Sequence, residues 1–257
     1  MPRQRRRKET LTTVPPTEKD LRLALDQLLA YHREWESISL GHRKERSFVI
    51  VWGLIAHTIA QVEAALILLD DPKLGLCAEA NARVAYEHAL LAQYAHQHQD
   101  GEAQLERLLD FYDHKLGVTM DRLRLQGELG EFASRSASER VRPPDIAEFA
   151  KLSEKFDTSG WLYASYKMLC QSVHPSSLTL ARYLVVEEST GRVLNTLKYA
   201  TPGSKDAVLW TLTLAVLLAL GVQEHLRKGR SNMSKLRRAG APVGMSPLLQ
   251  LVGDTRV

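Results

Sequence analysis

The sequence is poor in cysteine and has no apolar segment near its start. Its 257 residues include two cysteines, Cys77 and Cys170, which are too few for a disulfide framework and fit a reducing compartment. The opening segment MPRQRRRKET carries charge with no apolar run after it, so it does not resemble a secretory signal. These absences predict a cytoplasmic protein that does not depend on disulfides.

Several short motifs of catalysis and cofactor binding are also missing. There is no glycine-rich phosphate loop, no G-x-S-x-G, no C-x-x-C pair and no H-E-x-x-H. His96 and His98 are two apart and do not share a helix face, which argues against a metal site there. We therefore expect no cofactor and no metal, and the sequence leaves open whether the protein is an enzyme.

The net charge of +4 hides an uneven distribution. Clusters of basic residues without acids lie near both ends, and the rest of the chain is acidic in sum. The candidate nucleic-acid contacts in these clusters are Arg5, Arg6, Arg7, Lys8, Arg237 and Arg238. Such segments bind nucleic acid or anionic surfaces, and they also occur as solvated, disordered tails. Both interpretations stay open at this point.

The spacing of apolar residues predicts an all-α multi-helix bundle. The predicted helices cover about residues 17–37, 45–69, 71–98, 102–126, 128–138, 145–155, 161–174 and 206–226. The third begins at Asp71-Pro72, an N-cap residue followed by proline. We expect one helical domain at 17–228, after a basic disordered tail at 1–16 and before a basic, then irregular tail at 229–257.

The run from Ala207 to Val222 is apolar all round. Its 16 residues are fewer than the roughly 20 needed to span a bilayer, and it contains Thr211 and Thr213. We therefore expect this helix at the centre of the bundle, with no membrane association. Between the last two helices, residues 183–196 contain Ser189-Thr190-Gly191 and are predicted to form a small hairpin.

The predicted third helix carries charges inside its apolar stripe. On a helical wheel, Arg83 and Glu87 fall among Leu76, Leu90 and Tyr94. A surface salt bridge at this place would require the stripe to face water, so we expect a partly buried, hydrogen-bonded pair. Desolvating such a pair is costly, and its presence therefore indicates a role beyond stability.

The segment from Trp161 to Ser177 is rich in functional side chains and breaks at His174-Pro175. Proline disfavours α conformation in the residue before it and cannot donate to the preceding turn. His174 should therefore lie at a helix end, either as a general acid or base, given an ordinary pKa of about 6.5, or as a cap of the helix. Cys170, one turn earlier, is predicted to be buried and inert.

Two segments together resemble a bacterial family known as domain of unknown function 5677. Residues 81–87 are similar to its R-x-x-x-E helix, with an aromatic residue before the glutamate, and residues 166–176 are similar to its Y-x-x-x-S/C-x-x-x-H-P-S ending. The resemblance spans roughly residues 21–226 and implies an all-helical bundle without an established activity. The residues that it implies at one polar site are Arg83, Glu87, Tyr166 and His174.

Arg83 and His88 also match the R-x4-H spacing of the helical nucleases called HEPN (higher eukaryotes and prokaryotes nucleotide-binding). In those RNases the two residues act on a scissile RNA phosphate across a homodimer interface. The resemblance implies a metal-independent RNase that works as a homodimer. In it, Arg83 stabilises phosphate charge, and His174 or His88 moves protons.

The other hypothesis is a non-catalytic binding or regulatory protein whose polar cluster holds the bundle together. Similar helical families occur in mobile and anti-phage gene neighbourhoods, which implies a defence or mobile-element context. The basic ends could contact nucleic acid under either hypothesis. The missing catalytic signatures favour the binding protein.

Overall fold

A computed structural model describes residues 15–34, 45–123, 127–131, 141–174, 176–200, 203–227 and 232–252, apart from the side chains of 45–48 and 178. Within these ranges the chain is a bundle of helices with one two-stranded hairpin, so the predicted all-α fold is confirmed. The basic residues Arg5, Arg6, Arg7 and Lys8 and the disordered tail predicted at 1–16 lie outside the described residues, except for residues 15 and 16.

The first half of the described chain contains the long helices α1 (Glu18–Arg33), α2 (Glu45–Asp70), α3 (Cys77–Gln97) and α4 (Gly101–Arg122). A capping box fixes the start of α1, in which the side chains of Thr17 and Asp20 each accept from the other's backbone N–H. The α3 helix begins later than predicted. Asp71 instead caps a turn, since its carboxylate accepts from the Lys73 N–H at 2.7 Å.

The second half contains shorter helices around one long one. A 3₁₀ turn (Asp145–Ala147) leads into α5 (Phe149–Glu154), α6 (Trp161–Val173), α7 (Ser177–Ala181), α8 (Lys205–Leu226) and α9 (Met233–Gly240). Strands β1 (Leu184–Val186) and β2 (Val193–Thr196) pair antiparallel, which confirms the predicted hairpin. Residues 128–131 are helical, and the rest of the helix predicted at 128–138 lies outside the described residues.

The α8 helix is the centre of the bundle. All residues from Thr211 to Glu224 are buried, and α8 packs against α1, α2, α3 and α9. A helix that is apolar all round must be covered on every side to keep its side chains from water. The predicted central position of this helix is therefore confirmed.

Both α2 and α8 contain a segment long and apolar enough to cross a membrane by length and composition. The two segments differ in burial, because 83% of the α8 window is buried but only 33% of the α2 window. The α8 segment is therefore a core helix. The outward side of α2 exposes Val49 and Ile67, at 64% and 74% of their side-chain surface.

The C-terminal segment differs from the irregular tail predicted at 229–257. The α9 helix buries Met233 and Leu236 and packs against α1 and α8. Residues 245–252, here called the C-terminal strap, then cross α8 and α3. Gln93 of α3 donates to the carbonyl of Pro247 at 3.0 Å. The strap is fastened largely through backbone groups, which leave no periodic pattern in the sequence.

A first prediction concerns the crossing of the strap over α8. A Cβ atom placed on Gly221 would lie 1.8 Å from the carbonyl oxygen of Pro247, so Gly221→Ala must displace the strap. We expect the free energy of unfolding, measured by urea denaturation, to fall by about 1–3 kcal/mol. The matched control is Gly53→Ala in α2, where a Cβ meets nothing within 4 Å. Helix propensity there predicts no loss, or a gain of up to about 1 kcal/mol. Equal losses in the two variants would contradict the close contact.

Candidate functional site

One face of α6 lines an open cleft of about 350 Å³. The α6 helix begins after Gly160, whose φ is 78°, and the Asp157 carboxylate accepts from the Leu162 N–H at 2.9 Å. Four α6 residues at helical spacing line the cleft, and so does the residue directly after the helix. They are Tyr163, Tyr166, Lys167 and Cys170, followed by His174. The opposite side of α6 is buried through Leu162 and Leu169, so this helix separates the core from the cleft.

The other walls of the cleft come from α3 and from the segment that begins α5. Arg83 of α3 lines it, together with Glu148, Phe149 and Ala150. The Phe149 ring stacks on the Tyr166 ring with centroids 3.8 Å apart. Aromatic stacking of this kind fixes both rings, and it holds α5 and α6 together beside Arg83.

Tyr166 lies between the two charged residues of α3. Its hydroxyl accepts a hydrogen bond from Arg83 Nη2 at 2.9 Å, and the charge of Glu87 acts on it electrostatically. The Arg83 guanidinium lies 5.1 Å from the centroid of the tyrosine ring. Within the described part of the chain no salt bridge joins Arg83 directly to Glu87. The predicted hydrogen-bonded pair of Arg83 and Glu87 is therefore not formed directly: Arg83 bonds to Tyr166 instead, and Glu87 interacts with both residues through its charge.

Burial governs the protonation of Glu87 and Tyr166. It raises the pKa of Glu87, although the charge of Arg83 and the Tyr166 hydroxyl act in the opposite direction. Burial, and next the charge of Glu87, raise the pKa of Tyr166 to about 12. The phenol is therefore protonated at neutral pH, and its oxygen accepts from Arg83.

One hydrogen-bond donor of the Arg83 guanidinium has no acceptor among the described residues. This donor is the Nε atom, which is buried. A buried donor without an acceptor costs about 1–3 kcal/mol. Guanidinium groups pair with carboxylate or phosphate through two parallel N–H bonds. Arg83 lines the cleft, so the guanidinium donors that remain accessible there are open to a bound anion, whereas the buried Nε is not.

His174 lies at a helix end, as predicted. It follows Val173, the last residue of α6, and its backbone is extended at φ −107° and ψ 147°. The ring is exposed at the cleft, and it makes no hydrogen bond to a helix carbonyl among the described residues, so the alternative role as a helix cap has no support. Pro175 is not one of the described residues.

Cys170 is buried, as predicted. It also lies in the wall of the cleft, between Tyr166 and His174 along α6. Lys167 was missed by sequence reasoning, although it falls on the same side of the helical wheel as Tyr163. Glu148 and Phe149 had no sequence signal, because they come from a different helix beyond a proline break.

A second polar cluster, also missed, anchors the chain that follows α6. Glu79, in the first turn of α3, is buried and accepts hydrogen bonds from Ser172 of α6 and from Arg182 beyond α7. Gly203 covers the pair, since a Cβ there would lie 2.4 Å from Glu79 Oε1. The feature of the sequence that could have pointed to this cluster is the position of Glu79, one helical turn before Arg83. This cluster fixes the segment that carries His174 against α3.

His88 lies away from the cleft. Its Nδ1 atom is 3.0 Å from Nδ1 of His57 in α2, and Gln61 donates to the other ring nitrogen of His57 at 2.8 Å. Burial, and next the neighbouring His57, lower the pKa of His88 to about 4. The spacing of Arg83 and His88 therefore does not bring both side chains into one cleft of this chain.

The C-terminal arginines are also separate from the cleft. Arg237 and Arg238 are exposed on α9, and Arg238 lines a smaller cavity of about 180 Å³ between α1 and α9. Within the described ranges no group of three or more His, Cys, Asp or Glu side chains is arranged to hold a metal ion. The cleft is thus lined by three of the four predicted residues, Arg83, Tyr166 and His174, whereas Glu87 is not among its lining residues.

The chain matches no family model, and comparisons with curated proteins and with solved structures also give no match. The two family resemblances therefore stay predictions that rest on their motifs.

A second prediction concerns the hydrogen bond between Arg83 and Tyr166. Tyr166→Phe removes the hydroxyl but keeps the ring that stacks on Phe149, so it leaves Arg83 Nη2 without its partner. We expect the free energy of unfolding to fall by about 1–3 kcal/mol, measured by urea denaturation. Tyr163→Phe is the matched control on the same face, where the side chain is 37% exposed and a change of at most about 0.5 kcal/mol is expected. A Tyr166→Phe protein as stable as wild type would show that the hydroxyl contributes nothing.

A third prediction follows from the low pKa of His88. In the unfolded chain His88 takes up a proton near pH 6.5. In the folded protein His88 does so only near its pKa of about 4. The unfolded state therefore binds more protons between these values, and stability is lost as pH falls through this window, by at most about 3 kcal/mol. His88→Gln should make stability less dependent on pH between 6.5 and 4 in urea titrations. An unchanged pH dependence would contradict the shift.

Proposed function

We propose that the protein is a non-catalytic binding or regulatory protein whose cleft between α3, α5 and α6 binds an anionic ligand. The observation that carries the proposal is the position of Arg83. Its guanidinium is held by Tyr166, and Arg83 lines the cleft. Lys167 and His174 line the same cleft. Bound anions gain most where cations are already fixed and partly desolvated.

The acid at the rim of the cleft does not cancel these cations. Glu148 forms a salt bridge with Lys151 at 3.0 Å, so its charge is partly compensated outside the cleft. Glu87 interacts electrostatically with Tyr166 and is not among the residues that line the cleft. An anion that enters the cleft therefore meets mainly Arg83, Lys167 and the imidazole of His174.

Tyr166 is not suited to act as a base at neutral pH. Acid–base catalysis works best with groups that titrate near the working pH, and burial raises the pKa of Tyr166 to about 12. The bacterial, cytoplasmic setting and a defence or mobile-element context are part of the proposal and rest on composition and resemblance. Nucleic acid is proposed as a partner of the basic ends, and exposed Arg237 and Arg238 on α9 support it.

A metal-independent RNase of HEPN-like type is the second candidate. The observation that favours it is that Arg83 and His174 line one cleft, where the arginine could stabilise phosphate charge and the imidazole could move a proton. His88 does not contribute to this arrangement within one chain, because it pairs with His57.

A fourth prediction tests anion binding through thermal stability. Inorganic phosphate, compared with chloride at equal ionic strength, should raise the Tm of the protein. At about 100 times Kd the gain is about 2.7 kcal/mol, or roughly 5–10 °C for a chain of this size. Arg83→Gln should abolish the rise. Arg22→Gln is the control, because Arg22 pairs with Glu18 and Asp70 on the surface, and it should keep the rise. No response in wild type, or the same response in Arg83→Gln, would overturn the proposal.

The same proteins separate the two candidates when they are incubated with RNA in the presence of a chelator. The binding hypothesis expects no cleavage. Cleavage by wild type that is lost in a folded His174→Ala protein would establish the RNase instead.

A further inference from the structure

The aromatic residues and the basic residues of the cleft lie at different positions along α6. Tyr163 and His174 lie at its two ends, roughly 16 Å apart along the helix axis at about 1.5 Å per residue. The aromatic residues Tyr163, Tyr166 and Phe149 lie toward the beginning of α6, and Lys167 and His174 follow toward its end. Arg83 joins at the level of Tyr166. The cleft therefore has an aromatic end at Tyr163 and, one helical turn further along, a cationic end at Arg83 and Lys167.

The cationic end fits a doubly charged group better than a singly charged one. Arg83 and Lys167 offer several donors from separate positions, and one phosphate monoester accepts at three oxygens with a charge of about −1.5 to −2. A carboxylate has two oxygens and a single charge, so it would leave part of this donor set unused.

The aromatic end has one ring free for a ligand. Tyr166 is covered by Phe149, whose ring is stacked on it at 3.8 Å, and by the Arg83 guanidinium at 5.1 Å. Tyr163 is 37% exposed and lines the cleft. A tyrosine in this position is a platform on which a planar ring can stack.

The size of the cleft limits what it can hold. Its volume of about 350 Å³ lies near the lower end of the range for small-molecule sites, about 300–1,000 Å³. It accommodates one ring and one phosphate group side by side along α6. We infer that the cleft takes a small phosphate monoester that carries an aromatic ring, an inference that rests on the anion binding proposed above.

A fifth prediction tests this ligand class by isothermal titration calorimetry on the full chain. The probes are phenyl phosphate, inorganic phosphate and benzoate. Phenyl phosphate should bind at least tenfold more tightly than either of the others, because only it engages both ends of the cleft. Arg83→Gln and Lys167→Gln should each weaken both phosphate probes at least tenfold.

Variants of Tyr163 isolate the ring. Tyr163→Ala should weaken phenyl phosphate about tenfold, in line with the loss of one stacking contact, and leave inorganic phosphate unchanged. Tyr163→Phe should restore the affinity. Tyr199→Ala is the matched control, since Tyr199 is similarly exposed at 41% but does not line the cleft.

Each contrary result has a separate meaning. Equal affinity for phenyl phosphate and inorganic phosphate, both lost in Arg83→Gln, would overturn the aromatic ligand and leave anion binding intact. Benzoate binding as tightly as phenyl phosphate would overturn the phosphate. The absence of binding by all three probes would overturn both this inference and the function on which it rests.

Discussion

The packing of the whole bundle depends on covering α8, a helix without a polar face. Every residue from Thr211 to Glu224 is buried, so each neighbour must present an apolar side to it. The helices α1, α2 and α3 cover most of its length, and α9 covers part of the remainder. The C-terminal strap crosses where Gly221 leaves room for the carbonyl of Pro247. The last segment of the chain is therefore part of the core rather than an appendage.

Because α3 helps to cover α8, α3 is itself largely buried, and its polar residues form the polar sites of the protein. The α3 helix packs against α2 and α8 and also against α6, so little of its surface faces water. Its polar residues must then find partners in other segments. Glu79 accepts hydrogen bonds from Ser172 and Arg182. Arg83 donates to Tyr166, and Gln93 donates to a backbone carbonyl of the strap. The candidate site is thus a consequence of how deeply α3 is buried.

The burial of α3 explains how much of the fold and of the candidate site could be predicted from the sequence. Features that repeat within one helix were predictable, such as the central α8, the charges in the apolar stripe of α3 and the helix end at His174. The contacts that define the site join distant positions. Arg83 and Tyr166 are 83 residues apart, Glu79 and Arg182 are 103 apart, and Gln93 and Pro247 are 154 apart. A pattern within one helix carries no information about which residue another helix places beside it.

The contrast between the two clusters on α3 indicates which one serves a ligand. A network that only stabilises the fold should use its donors and acceptors within the protein, because each one left unmade costs free energy. The Glu79 cluster behaves in this way, with both carboxylate oxygens accepting and Gly203 covering the pair. The Arg83 cluster keeps a buried Nε without a partner among the described residues, one side chain away from an open cleft. The Arg83 guanidinium therefore lies between its bond to Tyr166 and the open cleft, which is the position that an anion-binding arginine requires.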